Sequence, residues 1–66
     1  MTIAEFKKHL ELMGTPFFDE CENSFRVHSL TRFDLELLLK IPTFTHLTAM
    51  VEYGAITSIE INFKNQ

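Results

Sequence analysis

A chain of 66 residues has room for one hydrophobic core, and a domain of this size buries only about 60% of the surface that its unfolded form exposes. Its composition, 45% apolar and 23% charged with two Gly and two Pro, is globular and excludes a disordered tail. Six Lys/Arg against nine Asp/Glu leave a net charge of −3, without the basic excess by which a generic DNA or RNA binder neutralises phosphates and without the carboxylate coat of a DNA mimic.

The first predicted element is a helix over residues 3 to 13. Thr2-Ile3-Ala4-Glu5 has the spacing of a capping box. Ile3, Phe6, Leu10 and Met13 then recur at helical intervals, and Gly14 with Pro16 closes the segment. Residues 15 to 23 carry turn formers around an aromatic pair and an acidic cluster. They read as a connection in which 17 to 21 can form a short strand turning at Glu22-Asn23. Residues 24 to 29 set Phe25 and Val27 against Arg26 and His28, the period of two of a half-buried strand.

In residues 33 to 41 two signals oppose each other. Leu, Glu and Lys favour a helix, whereas the order puts Phe33, Leu35, Leu37, Leu39 and Ile41 on one face and Asp34, Glu36, Leu38 and Lys40 on the other. A helix would bring Asp34 into the apolar arc, so the pattern is read as a strand. Pro42 ends it. Thr43 or Thr45 then caps a helix with a stripe of Phe44, Leu47, Met50 and Val51, stopped by Gly54. Residues 55 to 63 alternate once more, with Ile59, Ile61 and Phe63 facing one way, and Asn65-Gln66 is a frayed end.

The expectation is a single α+β domain over 1 to 66, in the order α-β-β-α-β. Its three-stranded mixed sheet would carry two helices on one face, with the second and third strands parallel through a right-handed crossover. The longest apolar run, Leu37-Leu38-Leu39, is far too short for a membrane span, and the first residues lack the apolar stretch of a signal peptide. With Cys21 as the single cysteine, a reducing, cytoplasmic setting fits best.

Residues that could carry chemistry are few. His9, His28 and His46 fall on different elements and share no ligand spacing with Cys21, so no metal, cofactor or catalytic residue is assigned. The cluster Asp19, Glu20 and Glu22 could hold a divalent ion or a basic partner. Phe17 and Phe18 point to opposite sides of an extended segment, which leaves one exposed as a contact. On the uncovered sheet face Arg26, His28, Asp34, Glu36, Leu38 and Lys40 would project, with Ser58, Glu60 and Asn62, and Leu38 would be the apolar anchor of a docking surface.

Residues 40 to 49, Lys-Ile-Pro-Thr-Phe-Thr-His-Leu-Thr-Ala, resemble the helix-hairpin-helix DNA-binding motif. That resemblance implies two helices flanking Pro42 and phosphate contact by backbone amides. Thr43 and Thr45 stand where the motif has the glycines that allow this approach.

The function these features favour is a non-enzymatic protein-binding module that docks on a larger protein, in the manner of a small bacterial or phage-encoded inhibitor or accessory factor. Two alternatives stand beside it. One is an assembly subunit that pairs with its own copy through a sheet edge. The other is a nucleic-acid binder using Arg26, Arg32 and Lys40.

Overall fold

The computed structural model describes residues 1–65. Two helices and four strands follow in the order α1 (Ile3–Leu12), β1 (Phe17–Cys21), β2 (Ser24–Val27), α2 (Arg32–Leu38), β3 (Phe44–Glu52) and β4 (Ala55–Phe63). The strands form one antiparallel sheet in the order β1-β2-β4-β3. The α+β class expected from the sequence therefore holds, with four strands in place of three and no parallel pair. Strands β2 and β3 do run in the same direction, but β4 lies between them and is antiparallel to both.

Helix α1 forms as its caps direct. The Thr2 hydroxyl accepts from the Glu5 amide at 3.1 Å, and the Glu5 carboxylate accepts from the Thr2 amide at 3.0 Å; this amide contact holds the Glu5 pKa below its usual value. At the other end Gly14 takes a φ of 72°. The Thr15 amide then donates to Leu10 and the Gly14 amide to Glu11, the paired bonds of a Schellman close. The strand foreseen within residues 15 to 23 is present as β1, joined to β2 through Glu22-Asn23.

Two elements differ from the expectation. Residues 33 to 38 of the segment expected as a strand lie in helix α2, opened by a second capping box in which Thr31 accepts from the Asp34 amide and Asp34 accepts from the Thr31 amide, at 3.1 and 2.9 Å. Asp34 does lie in the buried arc, only 4% exposed. It is satisfied there by His9 of α1, whose Nε2 approaches it at 2.7 Å. The apolar excess that a helix cannot cover is left outside, at Phe33 and Leu39. Residues 44 to 52, expected as a helix, form strand β3.

Both helices cover one face of the sheet, as expected. Phe6 and Leu10 of α1 and Leu38 of α2 meet Phe25, Val27, Ile61 and Phe63 of the two central strands, with Ile41 at the margin. The Phe25 and Phe63 rings stack at 5.8 Å, and Phe17 meets Phe25 edge-on at 5.6 Å. Among the described residues no helix is long and apolar enough to cross a membrane. At the expected frayed end, Asn65 accepts from the Asn23 side chain; Gln66 lies outside the described residues.

The β3–β4 hairpin extends past this core. The radius of gyration is 11.5 Å, against about 10.8 Å for an average chain of this length, and the longest dimension is 34 Å. Tyr53 and Gly54, with φ of 52° and 77°, form the two-residue turn between the paired Glu52 and Ala55. Positive φ at both positions is the signature of the type I′ turn, whose twist suits a hairpin.

Candidate functional site

The sheet presents one open face and two edges. On the open face the register places Phe18, Arg26, Glu60 and Thr48 in a single row across the four strands. Arg26 donates from Nε to Glu20 at 2.6 Å, so its charge is matched on the spot. Phe18, just over half exposed, meets the His28 ring edge-on at 5.7 Å, and His28 Nδ1 lies 3.3 Å from the Thr57 carbonyl. Phe18, Glu20, Arg26, His28, Thr57 and Ser58 line a shallow depression there. Within it the Arg26 and Glu20 charges pair with each other.

Of the residues expected on this face, Arg26, His28, Ser58, Glu60 and Asn62 occupy it, and Phe18 and Glu20 join them. Four others do not. Asp34, Glu36 and Leu38 belong to α2, and Lys40 follows that helix. Asp34 is bound to His9, and Glu36 forms an exposed pair with Arg32 at 3.6 Å. Leu38 has no exposed surface and is a core residue, so it cannot anchor a partner. Phe17 turns inward against Phe25, which leaves Phe18 as the exposed member of the pair.

The acidic cluster is also dispersed. Asp19 pairs with Lys7 of α1 at 2.5 Å, Glu20 with Arg26, and Glu22 lies in the β1–β2 turn. Among the described residues no three His, Cys, Asp or Glu side chains converge as a metal site would need. Cys21 is exposed, and the Ser24 hydroxyl 3.0 Å from its sulfur holds the thiol pKa below the ordinary value. The segment resembling a helix-hairpin-helix motif lacks the second helix, because β3 begins at Phe44.

The edges are unlike each other. Strand β1 has five residues, an irregularity between Asp19 and Cys21, and two carboxylates already engaged by Lys7 and Arg26. Strand β3 has nine residues and no charge or proline from Phe44 to Val51. Among the described residues it pairs with β4 alone. Its outer margin therefore presents backbone N–H and C=O groups that no neighbouring strand takes up.

Strand β3 also carries apolar side chains that the helices do not reach. Leu47 pairs with Ile61, Ala49 with Ile59 and Val51 with Ile56, which puts all three on the helix-bearing side. Ile59 is half-buried, but Leu47 and Ala49 are exposed, and Val51 and Ile56 are about 60% exposed. Beyond them Tyr53 stands fully in solvent at the turn. A bulky residue at positive φ is uncommon and costs about 1–2 kcal/mol, so the tip combines backbone strain with maximal display of an aromatic ring.

None of these β3 residues was assigned to a site from the sequence. The usable signals were the Thr, Val and Phe content of residues 44 to 51 and the dipeptide Tyr53-Gly54 set between two alternating runs.

Fold and surfaces together define a small α+β protein whose antiparallel sheet has one short acidic edge and one long uncharged edge. No protein-family model, curated protein or solved structure matches the chain.

Proposed function

We propose that this chain is a non-enzymatic protein-binding module that offers the β3 edge to a strand of another polypeptide. The observation that carries the reading is β3 itself: nine residues without charge or proline up to Val51, bordered by the uncovered strip Leu47, Ala49 and Val51. Natural edges of that length are ordinarily blunted by lysine, proline or a covering loop. Strand addition uses the free backbone groups for affinity and alternate side chains for choice of partner. Tyr53, fully exposed beyond Val51 and Ile56, supplies the large amphipathic contact that binding surfaces favour.

The test is a photoreactive benzophenone side chain installed at Val51, with Leu12, an exposed position of α1, as the control. Irradiation of cells of the native host is expected to give a discrete adduct with a polypeptide from position 51 and none from position 12. Equal labelling from both positions, or none from 51, would overturn the reading.

A further inference from the structure

The strand that β3 accepts can be specified from the charges and register of the sheet. We infer that it is β3 of a second copy, paired antiparallel about a two-fold axis at Thr48, so that two four-stranded sheets become one of eight strands. This rests on the edge reading above and names its partner.

Charge separates the two edges as self-pairing surfaces. Two β1 edges brought together would meet over only five residues, interrupted between Asp19 and Cys21, and would crowd the Asp19–Lys7 and Glu20–Arg26 ion pairs against their own copies. Like charges directly opposite one another destabilise a strand pair. Two β3 edges meet with no charge from Phe44 to Val51.

Register then selects the axis. The pairing of β3 with β4 runs without a break from His46 to Met50, between an extra residue in β3 at Thr45 and an extra residue in β4 at Thr57. The regular stretch His46 to Met50 has Thr48 at its centre. With the axis there, Thr48 faces Thr48, Leu47 faces Ala49 and His46 faces Met50.

Each pair joins side chains of one sheet face. Leu47 and Ala49 belong to the helix side, and His46, Thr48 and Met50 to the open side, opposite Asn62, Glu60 and Ser58 of β4. Hydroxyls meet in the Thr48 pair, which is favourable across strands. The two apolar strips come to lie side by side, each shielding the flank of the other from water. Glu52, the one charged residue of β3, is carried to the end of the opposite strand, where Lys64 continues β4 and its amide donates to Thr43.

The experiment is sedimentation of the purified chain over a range of concentrations, for wild type, Thr48→Lys, Thr48→Glu and an equal mixture of the two variants. Thr48 is exposed on an edge strand, so circular dichroism should show all of them folded. The wild type is expected at the mass of two chains of 7.7 kDa. Each variant is expected at the mass of one chain, because like charges meet on the axis, and the mixture is expected to return to two.

A wild type that stays at one chain into the high micromolar range would overturn the inference. So would a dimer indifferent to Thr48→Lys, or variants that dissociate but fail to recombine. The Val51 adduct distinguishes the two levels of failure: a monomeric chain that still gives an adduct with a different protein removes the self-pairing and leaves the edge reading standing, whereas a monomer without any adduct removes both.

Discussion

Asp34 sits at the joint of α1 and α2, where burial alone would push its pKa up. The Thr31 amide and the His9 ring reverse that tendency, and the carboxyl is held below its ordinary value of 3.8. Because the folded-state pKa is the lower one, the stabilisation is present above the ordinary pKa and is lost as pH falls through the folded value. Asp34→Ala should therefore cost about 1.5–3 kcal/mol at pH 7, the range for hydrogen bonds to a charged group. Urea unfolding at pH 7 and at about pH 2.5 should show the gap between variant and wild type narrowing in acid. A gap that is constant with pH would mean that the carboxylate charge contributes nothing at this joint. The same residue explains why the sequence misleads here: an acid in an apolar arc argues against a helix until a partner is known, and His9 lies 25 positions away in the chain.

At the scale of elements, α1 and β4 were legible because cap, period and stop agree within a few residues. In α2 the cap, Thr31 with Asp34, was present in the sequence and prevailed together with propensity over an alternation that runs through Leu37, Leu38 and Leu39. In β3 the irregularity at Thr45 sets Phe44 and Leu47 on the same side at a spacing of three, and Val51 follows four residues later. A strand interrupted in this way carries the spacing of a helical stripe. The local reward for the interruption is visible in its hydroxyl, since Thr45 donates to the Asn62 carbonyl at 3.0 Å. The turn of this hairpin is less well matched to its task. Replacing Tyr53 by Asn, which tolerates positive φ and forms the preferred Asn-Gly pair, should raise stability by about 1 kcal/mol in chemical denaturation. The same change should weaken any contact that uses the exposed ring. No gain in stability would show that the positive φ at position 53 carries no strain in this turn.

For the whole molecule, the core is small and central. It joins two helices to β2 and β4, leaving the open face of the sheet and the β3 margin outside. Leu38 is one of its fully buried members, and Leu38→Ala should cost about 2–5 kcal/mol, a large part of what a domain of this size has to lose. Thermal unfolding read by circular dichroism checks it, and an unchanged midpoint would place Leu38 outside the core. The open sheet face was legible in its central residues, Arg26, Glu60 and Asn62, because β2 and β4 alternate cleanly. The β3 margin was not, since which strand lies outermost depends on pairings between residues far apart in the chain.

The contrast between the margins bears on how far association can proceed. Growth into a fibril requires every added molecule to present a fresh adhesive border, and here the far border is β1, brief, irregular between Asp19 and Cys21, and occupied by two ion pairs. If the β3 borders pair as inferred, association would close at two chains and stop there.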